Sequence, residues 1–188
     1  MNAAEVLRRI TATLDQAGIE YMLTGSFASA YHGAPRSTQD IDFVINATPE
    51  QLRALVQALP EAEYYVDLTA ALEAHKRQSM FNVIDIGGGW KIDFVLRKSR
   101  PFSKEEFARR HQVILHGISI FVASVEDVIV AKLEWSKLAQ SQRQIEDVAA
   151  ILRVRVGGLD RHYLEKWIHE LDLTKQWGQA QQSAGVNS

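Results

Sequence analysis

Leu23-Thr-Gly-Ser-Phe-Ala-Ser-Ala-Tyr-His-Gly-Ala-Pro-Arg-Ser-Thr-Gln-Asp-Ile-Asp-Phe-Val-Ile45 is the stretch that decides the fold of this chain. It opens on the end of an apolar run, Ile19 to Thr24, which stops at Gly25-Ser26 and reads as a short strand. Ser26 to His32, with Phe27, Ala28, Ala30 and Tyr31, reads as a short helix stopped by Gly33 and Pro35. Asp40 to Ile45 alternates with period two and reads as a second strand. Side chains at i and i+2 of a strand share a face, so Asp40 and Asp42 project together while Ile41 and Phe43 go to the other side. Two carboxylates that close repel each other, and a divalent cation between them is the simplest remedy. Hard oxygen ligands that leave positions open for phosphate suit magnesium or manganese.

A second segment echoes the first. Asp40-Ile-Asp-Phe-Val-Ile45 is matched by Lys91-Ile-Asp-Phe-Val-Leu96, which sets Asp93 against Asp42. If both strands lie in one sheet, Asp93 joins the same acid cluster. Three carboxylates can hold two metals about 3.5–4 Å apart, which clamp the attacking and leaving oxygens of an in-line phosphoryl displacement. Asp85 is the rival third acid, because it lies on the same expected hairpin; the echo and the apolar flanks favour Asp93. Gly25 lets the backbone approach a phosphate, the following helix start offers free N–H groups, and the Ser26 hydroxyl can donate to a phosphate oxygen. Each feature has an ordinary alternative: a D-x-D pair is often a surface pair, and Gly-Ser is often a turn.

Outward from these segments, Ala3, Val6, Leu7, Ile10, Leu14 and Ala17 fall at helical spacing and predict a helix over 2–17, ended by Gly18. Thr48-Pro49-Glu50-Gln51 opens a helix running to about Leu59. A strand near 64–67 and a helix near 69–75 follow. Phe81–Ile86 and Trp90–Leu96 flank Gly87-Gly88-Gly89 as a hairpin. Ser103-Lys104-Glu105-Glu106 is predicted as a capping box, and 112–115 and 118–122 as strands about His116-Gly117. After Ser124 the pattern turns helical, over 125–139, 142–154 and 160–171, with Asp160 as N-cap; the tail from Gly178 is expected to fray. The order predicts an α/β (α+β) domain over 1–123 and a helical domain over 124–188.

Composition narrows the function classes. The 188 residues suffice for a substantial core with a helical part appended. A net charge of −2 shows no basic excess, so a nucleic-acid partner would have to be met by a local patch. The absence of cysteine excludes disulfides, thiol chemistry and cysteine-bound zinc. No apolar run reaches the ~18 residues of a membrane span, and Arg8, Arg9 and Asp15 interrupt the N-terminal stretch where a signal peptide would be apolar. The expectation is a cytoplasmic protein with no membrane partner. The six histidines show no H-E-x-x-H spacing. Trp90, Trp135, Trp167 and Trp177 are expected to pack in the core or between domains rather than to stack on bases.

The run Leu23–Ile45 resembles the first motif of the DNA polymerase β-like nucleotidyltransferase superfamily. Within it, the Tyr-x-Gly-x-Pro-Arg-x-Thr filling between Gly25-Ser26 and Asp40 resembles the AbiEii-like branch of bacterial proteins, some of which are toxins of toxin–antitoxin and phage-defence systems. The likeness is specific over 19–46, fair around Asp93 and looser over 124–180. It implies a nucleotidyltransferase fold, a mixed sheet flanked by helices and followed by a helical part. It implies Mg²⁺ (or Mn²⁺) and an NTP as ligands, with Asp40, Asp42 and Asp93 as catalytic metal ligands and Gly25 and Ser26 on the phosphates.

Arg36 and Thr38 lie in the same filling as substrate-binding candidates; Arg36 would meet the triphosphate or an acceptor, or else be a solvated loop arginine. Lys132 falls inside the apolar face formed by Val125, Val128, Ile129 and Leu133, so it either snorkels or serves a cleft. The resemblance gives Lys132 a phosphate contact and Asp147 a role as base or orienter; the competing reading of Asp147 is an i, i+4 pair with Arg143. The acceptor implied is RNA (tRNA especially), a protein hydroxyl or a small molecule, and a toxin would have a cognate antitoxin. A non-catalytic nucleotide- or partner-binding module on the same fold is the alternative.

Overall fold

The computed structural model describes residues 2–155 and 157–186. The first helix, α1 (Ala3–Gln16), starts where Asn2 and Glu5 form a reciprocal capping box, and it buries Val6, Leu7, Ile10 and Leu14. Gly18, at φ +65°, turns the chain into β1 (Glu20–Thr24). Then come α2 (Gly25–Tyr31), β2 (Asp40–Asn46) and α3 (Pro49–Ala58), the last opened by the Thr48–Gln51 capping box with Pro49 at its first position. β3 (Tyr64–Val66), α4 (Leu68–Arg77), β4 (Met80–Asp85) and β5 (Trp90–Leu96) follow, with Gly87–Gly89 in the β4–β5 turn. α5 (Pro101–Ala108), β6 (His111–Leu115) and β7 (Ile118–Val122) complete this part. The rest is helical: α6 (Val125–Ala139), α7 (Gln142–Val154), α8 (Arg161–Glu170) and α9 (Thr174–Ala184).

The seven strands among the described residues form one sheet in the order β3-β4-β5-β2-β1-β7-β6. It is mixed: β2 pairs with β5 and β1 with β7 in parallel, and the other neighbours are antiparallel. Register fixes what each face carries. Phe81 pairs with Phe94, Phe94 with Phe43 and Phe43 with Leu23, so a buried apolar row crosses four strands. One residue away on β5, β2 and β1, Asp93, Asp42 and Thr24 form a polar row on the opposite face, extended by Asn82 on β4. Burying each large side chain of the apolar row stabilises by about 1.5–3 kcal/mol. A one-residue slip would bring the acids into the core, so the register is strongly specified.

Two compact units arise from the contacts. The first is the chain up to Ser26 with Ser37–Ala123 and contains the sheet; the second is Phe27–Arg36 with the residues from Ser124 onward. Within the second unit, Arg155 Nε donates to the His32 carbonyl at 3.0 Å, and Gly33, at φ +101°, lies so close to Val154 that a Cβ there would sit 2.8 Å from Val154 Cγ1. Ser124 caps α6, and the Tyr163 hydroxyl donates to buried Asp127, tying α8 to α6. Lys137 Nζ donates to the Leu171 and Asp172 carbonyls at the end of α8.

Three expectations are corrected. Ser103 does not cap α5; the helix starts three residues earlier, with Arg100 at the N-cap and Pro101, its fixed φ suiting the first turn, as first residue, and the Ser103 hydroxyl accepts from Arg100 Nε instead. The tail from Gly178 is helical to Ala184, because Ala180 is fully buried and Arg153 Nη2 donates to the Ser183 carbonyl at 2.6 Å; residues 187–188 of that tail lie outside the described residues. Trp135 is not a core residue but is 49% exposed, whereas Trp167 is buried. No helix among the described residues is long and apolar enough to cross a membrane.

Candidate active site

Asp40, Asp42 and Asp93 come together by strand geometry. Asp40 and Asp42 are two apart on β2, and the parallel register sets Asp93 of β5 directly beside Asp42 and Lys91 beside Asp40. These four side chains therefore share one face of the sheet. Asp40 is exposed and Asp93 is buried. Asp85, the rival third acid, pairs with Trp90 and so belongs to the other face. There it is wholly buried and accepts from the Gly88 N–H at 2.8 Å, which makes it a support for the hairpin turn.

Gly25 and Thr38 shape the acid pair. At Gly25 φ is +61°, and a Cβ would lie 2.0 Å from Asp42 Oδ2 and 2.9 Å from Asp42 Cβ. Only a glycine admits the carboxylate at that place. Thr38 Oγ1 accepts from the Asp40 N–H at 3.0 Å and fixes the entry to β2. Ser26, on the first turn of α2, is 3% exposed.

Lys91 completes the face. Its Nζ donates to Asp93 Oδ2 at 2.7 Å. Partial burial works against its charge, but the hydrogen bond to Asp93 and the attraction of Asp93, Asp40 and Asp42 outweigh it and hold its pKa above the ordinary lysine value. The other Asp93 oxygen, Oδ1, is buried and takes no hydrogen bond. Among the described residues, no group of three or more histidine or acidic side chains converges closely enough to hold a metal ion as placed. The donor set is nonetheless of the right chemistry. It offers hard carboxylate oxygens on one face, one of them buried without a partner, with a cation already drawn to them.

The remaining candidates form a separate cluster in the second unit. Asp147 Oδ2 accepts from Lys132 Nζ at 2.7 Å and from Arg36 Nε at 3.1 Å, and Gln144 Oε1 accepts from Lys132 at 3.2 Å. Arg36 is thus no solvated loop residue, and Asp147 takes these two cations rather than Arg143 one turn earlier. Lys132 is 4% exposed and does not snorkel to water. Two cations thus converge on one carboxylate oxygen. A cavity of about 410 Å³ in the same unit, lined by Leu152, Leu164, Ile168 and Trp177 with Arg155 and Arg161, contains none of the expected site residues.

Sequence reasoning passed over Lys91, Thr24 and Asn82, which share the acid face. Lys91 stands in the quoted echo, two residues before Asp93, and the strand period alone puts it there.

Comparisons with known proteins bear on this arrangement. The family described as "Nucleotidyltransferase of unknown function (DUF6036)" matches residues 2–182. No curated protein matches the sequence. The crystal structure of ANT(2")-Ia in complex with adenylyl-2"-tobramycin is similar, with a TM-score of 0.58 at 14% identity, covering 91% of this chain and 97% of that one. An antigenic nucleotidyltransferase-like protein from Paracoccidioides brasiliensis has a TM-score of 0.54 at 18% identity, covering 92% and 91% of the two chains. Lincomycin-bound LnuA, a lincosamide antibiotic adenylyltransferase, has 0.52 at 12%, covering 82% and 98%. At these identities the likeness is one of fold.

Proposed function

The chain belongs to the nucleotidyltransferase family DUF6036, and from that premise we propose that it moves a nucleoside monophosphate from an NTP to an acceptor hydroxyl at the Asp40–Asp42–Asp93 face. The observation that carries this reading is the parallel, in-register pairing of Asp42 with Asp93 beside Asp40, with Gly25 holding space for the Asp42 carboxylate. Asp40, Asp42 and Asp93 would hold Mg²⁺ or Mn²⁺, whose contribution is to neutralise charge on the triphosphate. Gly25 and Ser26 take the phosphates. Asp93 accepts the acceptor's proton as the acceptor oxygen forms its bond to the α-phosphorus. The bond from that phosphorus to the bridging oxygen breaks, and pyrophosphate leaves. Most of the rate then comes from positioning and electrostatics.

We assign residues 1–123 as the catalytic domain and 124–188 as the helical domain, although Phe27–Arg36 of the former belongs to the second compact unit. In this reading Arg36 and Lys132 contact substrate phosphate or acceptor, and Asp147, which accepts from both, orients them. The resemblance to AbiEii-like proteins supports a cytoplasmic toxin acting on tRNA or protein, with an antitoxin as partner. The antibiotic adenylyltransferases among the structural relatives support a small-molecule acceptor. A second reading, a non-catalytic nucleotide-binding module, is favoured by one observation: Lys91, and not a third acid group, closes on Asp93.

Labelled NTPs with Mg²⁺ and bulk tRNA, cell protein or aminoglycosides test the proposal. Wild type should label one class and Asp42→Asn should not. Equal labelling by both proteins overturns it, and NTP binding without transfer to any class establishes the second reading.

A further inference from the structure

We propose that Lys91 is the internal counter-ion of the acid face, holding Asp93 in an ion pair that a divalent cation must displace before Asp93 can serve it. The inference rests on the metal-dependent reading given above and extends it to how the site is kept when no metal is present. Three acids on one sheet face are a liability to the folded protein. Asp93 is 6% exposed, and a buried carboxylate with no compensating charge is costly. The parallel register puts Lys91 beside Asp40, and its Nζ reaches diagonally to Asp93 Oδ2 at 2.7 Å. Its position beside Asp40 in the register keeps it on the same face as Asp42.

The same geometry makes the arrangement reversible. The Lys91 side chain is 39% exposed while that of Asp93 is 9% exposed, so the lysine can swing into water and uncover the acid's narrow opening to solvent. Withdrawal of Nζ frees Oδ2 next to the buried, unbonded Oδ1. A carboxylate oxygen already accepting from an ammonium is a poorer ligand, and the ammonium repels an incoming dication. The acid face is therefore a competed site: its affinity for a divalent ion is set by the acids and reduced by Lys91.

Calorimetric titration of the full chain with Mn²⁺ tests this, using wild type, Lys91→Met and Lys91→Arg. Removing one positive charge beside a bound dication should tighten Mn²⁺ binding by about tenfold. Lys91→Met should also lower the thermal midpoint of the metal-free protein and regain it when Mn²⁺ is added. Lys91→Arg keeps the charge and grips a carboxylate with two donors, so it should bind Mn²⁺ about threefold more weakly than wild type. The expected order is Met tightest, wild type next, Arg weakest. If wild type binds Mn²⁺ and Lys91→Met binds it no better, or Lys91→Arg binds it more tightly than wild type, the counter-ion role is overturned while the metal reading stands. If neither wild type nor Lys91→Met binds Mn²⁺, both fall. The arginine variant keeps the test decisive even if the methionine variant does not fold.

Discussion

Replacing Gly25 with alanine offers the sharpest test of how the acid pair is built. The backbone there has φ +61°, in the left-handed region, where an L side chain costs about 1–2 kcal/mol. The new methyl would also meet Asp42, 2.0 Å from Oδ2, 2.6 Å from Cγ and 2.9 Å from Cβ. A long side chain could swing its tip away, but here the clash reaches back to Cβ. Rotation about χ1 therefore leaves part of it in place, and an off-rotamer side chain adds about 0.5–1.5 kcal/mol. The strands give little room, because Thr24, just before Gly25, pairs with Asp42 itself. Together these terms predict a loss of about 2–3 kcal/mol in stability and a displaced Asp42 carboxylate. Gly89→Ala is the matched control: φ is +68°, but nothing lies within 4 Å of its added Cβ. Urea denaturation and Mn²⁺ calorimetry on both variants separate the two effects. Gly89→Ala should lose only the backbone cost and keep metal binding; Gly25→Ala should lose more and bind Mn²⁺ at least tenfold more weakly. Equal stability losses with unchanged Mn²⁺ binding in both would refute the reasoning.

Two further outcomes follow from charge and burial. Lys132→Met takes one of two cations from the partly buried Asp147 carboxylate, and the lysine itself is buried. Breaking a buried pair on one side costs about 3–5 kcal/mol, and the retained Arg36 should reduce that to about 2 kcal/mol by urea denaturation; no measurable change would show that the cluster is not a stabilising one. Burial, aided by the charge of Asp15, pushes the Tyr21 hydroxyl up to about 12. The fold thus favours the neutral phenol, so this stabilisation is complete below the ordinary value near 10 and is lost as pH climbs from there towards 12. Urea midpoints measured from pH 9 to 11 should fall in wild type and stay flatter in Tyr21→Phe; parallel curves would exclude Tyr21 as the cause.

Local signals carried most of the architecture. The capping box at Thr48 and the apolar spacing of α1 and α6 lie within a few residues of one another, where propensity and hydrogen bonding act directly. The echo between β2 and β5 marked two strands whose acids must match, and they pair in that register. What linear order concealed was non-local. Asp147 finds Arg36, 111 residues away, and Lys132, 15 away, although Arg143 stands one turn before it. Asn82 reaches the acid face because the β4–β5 hairpin pairs Asp85 with Trp90, a register set by its loop length. The α9 sequence, Gln-rich and holding Gly178, is a weak helix former by itself; packing of Ala180 and its bonds to α7 decide its state. The position of Lys91 is local by contrast: two residues before Asp93 on one strand, it shares that face by period alone.

The second unit's discontinuity has a consequence for how the protein is made. His32 waits for Arg155, which follows it by 123 residues. At a synthesis rate of about 5–20 residues per second, that is roughly 6–25 s during which Phe27–Arg36 has emerged without its partners. The sheet strands on either side, β1 and β2, can pair long before then, since β2 begins 16 residues after β1 ends (40 − 24). The nascent chain would thus carry a formed hairpin whose connecting segment exposes Phe27 and Ala28, an opening for chaperones or proteases until α7 arrives. A chain ended at Ala123 would hold every strand of the sheet and stay in that vulnerable state for good.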